Sequence, residues 1–327
     1  MQNNGFEMKA PTEPADATHP FALGPGHLFN AARRIVARTT TDNLMIVAAG
    51  VAFYGLLGLF PAMGALVAGY GILSDPADLR EVTTSLRGVL PGDVIQLLVD
   101  QLESITSSSD SSLSTGAIVA VLVSIWSANK ATKALFTGLN IAYREQEERG
   151  FITLNLVSLG TTASVLVAAI LGVTTVTALP FAVGDGLAVD VLRWSLLGGG
   201  MLALLSVLYR FGPDRRHARW QWVTVGSIGT TLVWLIGCIG FSLYVEMFGT
   251  YNETFGALGA VAILLTWMWI SAFLVMLGAQ TNAELEYETV RDSTAGETRP
   301  RGHRGAFVAD NVPDDYSDAI ALQTSSD

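Results

Sequence analysis

Charge, cysteine and histidine are all scarce in this 327-residue chain. Charged residues make up 15% of it, against about 25% in ordinary soluble domains, while 50% is hydrophobic. The lone cysteine, Cys238, lies inside an apolar run; it excludes an intramolecular disulfide and is expected to act as a small packing residue. The four histidines, His19, His27, His217 and His303, fall in terminal segments or a connection with no paired carboxylate motif. No acid–base pair or metal cage is therefore expected, and with it no enzymatic activity and no cofactor. A GxxxxGK[ST] phosphate loop is missing too, which excludes ATP hydrolysis by that route. So is the ten-residue polar/apolar alternation of a membrane barrel.

What the chain has is six long apolar stretches: Leu44 to Leu73, Leu113 to Phe136, Leu154 to Val183, Val189 to Phe211, Trp222 to Phe248 and Phe255 to Leu285. About 20 helical residues cross ~30 Å of hydrocarbon, and a backbone in lipid must satisfy its own hydrogen bonds, so each stretch predicts a transmembrane helix. The expected fold is all-α, a polytopic membrane protein with six transmembrane helices. The first 40 residues hold acidic groups and prolines without an apolar core before a cleavage site, so insertion is expected to start at the first span. Pro61 removes a backbone donor in that span and predicts a kink.

Of the 19 lysines and arginines, only Arg80 and Arg87 in the connection 1–2 and Arg193 near the start of span four lie on the other side. The rest sit before span one, around the connections 2–3 and 4–5, and after span six. Cationic segments stay inside, which predicts a multi-pass cell-membrane protein with both termini cytoplasmic. The net charge of −10 comes from the tails and the outer loop. Low hydrophobicity predicts disordered tails over 1–27 and 289–327, flanking a membrane domain over 28–288. HLFNAARRIVART suits either a short interfacial helix, with Arg33, Arg34 and Arg38 at headgroups, or an extension of span one. Between Ser74 and Ser112, Leu79, Val82 and Leu86, then Val94, Leu98, Leu102 and Ile105, recur at helical spacing; a partly helical external loop follows, as a lid or a passive cap.

Small residues repeat every fourth position in span two (Gly116, Ala120, Ser124, Ala128, Thr132) and in span three (Gly160, Ser164, Ala168, Gly172), which predicts protein-facing stripes. Polar residues in or beside spans are the remaining clues, since each is costly unless it faces protein or water. Asn129, Lys130 and Lys133 near the end of span two, and Gln280, Asn282 and Glu284 near the end of span six, are expected at one depth. Snorkelling to headgroups accounts for the two lysines. Glu284 either pairs with one of them or lines a cavity. Asn252, with Glu246 and Glu253, flanks an outer turn.

The segments AAGVAFYGLLGLFPAMGALVAGYGIL, SIWSANKATKALFTGLNIAYREQEERGF and FGTYNETFGALGAVAILLTWMWISAFLVMLGAQTNAELE resemble the YihY/virulence factor BrkB family of integral membrane proteins, over roughly residues 30 to 288. The resemblance places Phe53, Pro61, Trp126, Asn140, Tyr143, Arg149, Tyr251, Asn252, Gly256, Trp267, Gly278 and Glu284 in the family's pattern. Gln280 departs from it, standing where a glutamate is expected after the Gly-Ala pair, which removes a carboxylate that proton coupling would use. Members of the family are described as transporters or envelope factors and carry an old label as a tRNA-processing ribonuclease. The residues favour a non-ATP-driven transporter or flippase-like protein acting on a lipid or other amphiphile, with membrane lipids as partners and no nucleic acid. An envelope scaffold is the alternative, and a ribonuclease the least supported.

Overall fold

The computed structural model describes residues 13–71, 113–183, 186–247, 257–313 and 316. These contain α1 (Pro25–Thr41), α2 (Leu44–Gly71), α3 (Leu113–Tyr143), α4 (Phe151–Val183), α5 (Leu187–Phe211), α6 (Trp220–Met247), α7 (Ala257–Glu286) and the short α8 (Phe307–Asp310). Among the described residues there is no strand, only isolated bridges between Ala15 and Thr289 and between Ala218 and Thr294. The external loop and Asn252 lie outside the described residues.

The helices coincide with the apolar runs because those runs are hydrophobic on every side, as lipid requires. Stretches of α4, α5, α6 and α7 are long and apolar enough to cross a membrane, and α1 with α2 makes a fifth candidate as one broken span. The break is a 61° bend. It falls at Asp42 and Asn43, and Asn43 takes the left-handed conformation (φ 54°) that asparagine tolerates better than most side chains. α1 is thus a separate helix, not a straight extension of the first span.

α2 lies along α3 and α7, α6 packs between α5 and α7, and α4 completes the bundle beside α3 and α5. Gly58 of α2 sits against Ser127, Ala128 and Ser124, so Ser124 and Ala128 of the small-residue stripe on α3 face protein as expected. On α4, Gly160 and Ser164 are exposed, Ala168 is half-buried and Gly172 meets Leu197. The closest approach joins α6 to α7. A methyl group on Gly278 would collide with Thr230 and Tyr209, and one on Gly226 with the Gly278 carbonyl and Asn282.

One end of the bundle carries α1, the α3–α4 and α5–α6 connections, the end of α7 and both terminal segments; we call it the charged end. The tails depart from the disorder that composition predicts. Residues 13–24 and 289–313 fold onto this end, where Ala17, Leu23 and Val308 join the hydrophobic core and polar groups are satisfied around them. The Arg304 guanidinium donates to the carbonyls of Val290, Arg291, Arg299 and Ala309. Asp310 accepts the N–H groups of Gly302, Arg304 and Gly305, which holds its carboxyl below the usual range against the opposing effect of burial. Ala15 exchanges backbone bonds with Glu288 and Val290, tying the two tails together.

Candidate functional site

Glu284, Glu286 and Glu288 close α7, and all three are fully buried. Glu284, in the last turn of α7, and Glu288, in the turn just past it, both reach toward α1, whereas Glu286 points the other way. Glu284 accepts from Arg34 Nε at 2.7 Å, Arg38 Nη1 at 2.8 Å and Arg144 Nη2 at 2.8 Å. Glu288 pairs with Arg34, with His27 Nδ1 at 2.9 Å and with the Tyr316 hydroxyl at 2.8 Å. On the far side Glu286 accepts from Arg215 Nη1 at 3.0 Å and from the Ser293 hydroxyl at 2.6 Å. Charge-assisted pairs of this geometry offset the desolvation that burial imposes on each carboxylate.

Each arginine is placed by its own element. Arg34 and Arg38 are four apart on α1, so they share one side of it and reach Glu284 together. That side of α1 is the charged one; Leu28, Phe29 and Val36 are exposed on its outer surface. Arg144 sits just past α3 in the left-handed region (φ 60°), usually a glycine position. Its N–H bonds Ile141 and that of Glu145 bonds Asn140, the pair of contacts that ends a helix in this way. The strain of about 1 kcal/mol is offset by the ion pair with Glu284 and by stacking on Tyr287, whose ring centroid is 4.4 Å away. Glu145 accepts the Phe307 N–H, docking α8, while burial pushes its carboxyl up to about 6.

Five of the residues singled out in the sequence meet here. Glu284 is the centre. Gln280 accepts from Thr39 and donates to the Ile35 carbonyl, so a neutral amide secures α1. Asn282 accepts the Gly226 N–H at 2.7 Å, next to the close α6–α7 contact. Asn140 bridges Glu147 and the Asp214 N–H. Tyr143 is buried with the Arg215 guanidinium 5.0 Å above its ring.

The other group lies elsewhere, which corrects the expectation of one depth. Met276 of α7 packs over Gly138 of α3, so Lys133 is level with the turn around Ser271, roughly 20 Å along the helix from Glu284. Lys133 reaches Asn155 at 2.7 Å, and Asn129 accepts from Ser158 at 2.5 Å, both on α4. Lys130 is exposed, over the Trp126 ring. Neither lysine meets Glu284. His27, which has no carboxylate near it in sequence, receives one from Glu288. The arginine partners were hidden because they lie up to 250 positions from Glu284; the spacing of Glu284 and Glu288 with Arg34 and Arg38 was the available signal.

From this end the contact between α1/α2 and α7 forms a seam that starts at Gln280 and Thr39 and is closed along its middle by the packed side chains of Leu44, Ala48, Ala272 and Met276. Farther along, Trp269 donates to the Met45 carbonyl at 3.0 Å. Beside it lies a separate groove of about 320 Å³ lined by Ala49, Ala52, Phe53, Leu265, Thr266 and Trp269. Lipid-long apolar helices, closed at one end by buried ion pairs, define an α-helical membrane protein. Residues 35–302 match the family model described as virulence factor BrkB, and the chain belongs to that family. It is 28% identical over 265 residues to the ribonuclease-like protein YfkH of Bacillus subtilis, covering 77% of this chain and 94% of that one. A UPF0761 membrane protein of Rhodospirillum centenum is 28% identical over 299 residues, 88% of this chain and 64% of its own length. One from Tolumonas auensis is 36% identical over 100 residues, 28% of this chain and 33% of its own. No solved structure matches the chain.

Proposed function

We propose that this protein is a cell-membrane transporter or flippase-like protein that moves a lipid or another amphiphile without ATP. In this role it crosses the membrane six times, is kinked at Pro61, keeps both termini in the cytoplasm and needs neither cofactor nor nucleic acid. Two observations support that topology. The 31-residue α3 added to the five candidate spans gives six. The bridge between Ala15 and Thr289 supports both tails on one side and an even number of crossings between them. Cation placement supports that side as the cytoplasmic one.

The observation that carries the function is the seam: guanidinium groups at one end, an apolar groove beside the other, with Ala49 and Thr266 of its lining exposed on the bundle surface. Glu284 and Trp269 are 15 residues apart on α7, about 22 Å. One leaflet with its headgroups is half of ~40–45 Å, so the seam has the length of one lipid.

The test is movement of fluorescent lipids across proteoliposomes, read by chemical quenching of the outer leaflet. Ala49→Trp, which fills the groove, is expected to slow protein-dependent movement at least fivefold. Absence of any such movement with the unaltered protein, across labelled phospholipids and envelope precursors, would retire the transporter in favour of a scaffold.

A further inference from the structure

We infer that Arg34, Arg38 and Arg144 form a binding site for the phosphate of an amphiphile's headgroup, in which Glu284 is the built-in occupant that the phosphate displaces. The inference deepens the transporter proposal and rests on it for the amphiphile.

Three guanidinium groups from two separate elements converge on one carboxylate, bonding its two oxygens at 2.7–2.8 Å. Planar donor forks suit phosphate as well as carboxylate, and phosphate brings more acceptor oxygens. The cluster has donors left for them: Arg34 Nη1 and Arg144 Nε are buried without a hydrogen-bond acceptor. Access is one-sided in the right sense. The side chains of Arg34, Arg38 and Arg144 keep 16%, 16% and 25% of their surface, whereas Glu284 keeps none. The arginine side chains are thus the partly exposed members of the cluster, and the carboxylate is its enclosed one. Glu288 and Asp42 hold Arg34 and Arg38 from their other sides, so the phosphate must exchange with Glu284 and not simply add to the cluster. The groove beside the other end of the seam receives the chain of a molecule held this way.

Competition predicts changes of opposite sign that a purely structural ion pair does not. Full-length protein in detergent is titrated with dioctanoyl phosphatidic acid, dioctanoylglycerol or inorganic phosphate, following intrinsic tryptophan fluorescence or the shift in melting temperature. Glu284→Gln is expected to tighten phosphatidic acid binding at least tenfold, and Arg144→Gln to weaken it tenfold. Dioctanoylglycerol, which has no phosphate, should respond to neither. If Glu284→Gln does not fold, Glu284→Asp, which draws the carboxylate back from the forks, should tighten binding by a smaller factor. Unchanged or weaker binding in the glutamate variants overturns the proposal. Equal affinity for inorganic phosphate overturns the amphiphile and leaves a free-anion site. Because binding is read at equilibrium without vesicles, a negative lipid-movement assay retires the transporter role and leaves this result standing.

Discussion

Replacing Gly278 by alanine tests the packing that holds α7, and with it the site, in place. The added methyl would overlap Thr230 and Tyr209, so α6 and α7 must separate. Overpacking a tight contact costs about 1–3 kcal/mol. Separation also loosens the bond of Tyr209 to the Val275 carbonyl, that of Thr230 to the Leu274 carbonyl and that of Asn282 to the Gly226 N–H. Interhelical hydrogen bonds in membrane bundles average about 0.6 kcal/mol each. Partial loss of three brings the expected total to about 3 kcal/mol, roughly a hundredfold in the folding equilibrium. Gly229→Ala on α6 is the control, since nothing lies within 4 Å of its added methyl; better helix propensity should make it neutral or stabilising by about 0.5–1 kcal/mol. Reversible unfolding in mixed micelles, followed by tryptophan fluorescence, measures both. If Gly278→Ala and Gly229→Ala agree within 1 kcal/mol, about the error such a comparison allows, the close α6–α7 contact is not what holds these helices together.

Three further outcomes are expected. Arg144→Gly should be about 1 kcal/mol more stable than Arg144→Ala, since both lose the Glu284 pair but only glycine relieves the left-handed backbone; equal unfolding midpoints would exclude that strain. The Glu145 carboxyl, raised by burial to about 6, binds its proton more tightly in the folded state, so its contribution is complete below about pH 4.5, the ordinary value, and lost as pH rises through about 6. The unfolding midpoint should fall over that interval, and Glu145→Gln should remove that part of the pH dependence. Arg304→Met strips four carbonyls of their donor and should release residues 289–313 to limited proteolysis while the helices stay protected; unchanged cleavage would show that other contacts hold the segment.

Helix positions were legible because hydropathy is a local property: α5 ends at the predicted Phe211 and α2 begins at the predicted Leu44. The polar residues were legible as exceptions to the lipid rule, which singled out Glu284, Asn282 and Gln280 without saying what they meet. Partner choice depends on tertiary placement, so the arginines of α1 were assigned to headgroups when they serve Glu284. Depth failed for the lysines for a related reason. Lys130 and Lys133 were placed by the charge of the connection after them, but α3 continues ten residues beyond Lys133 to Tyr143. The tail misled because composition counts apolar residues and does not register a guanidinium that closes a loop through main-chain carbonyls.

The reach of the Arg34–Glu284 pair, 250 positions along the chain, governs how the molecule is made. At roughly 5–20 residues per second, the ribosome delivers Glu284 about 12–50 s after Arg34. For that interval Arg34 lacks both of its carboxylate partners, Glu284 and Glu288. The charged end is assembled last, and a chain stopped short of its final helix leaves its amino-terminal arm unlatched.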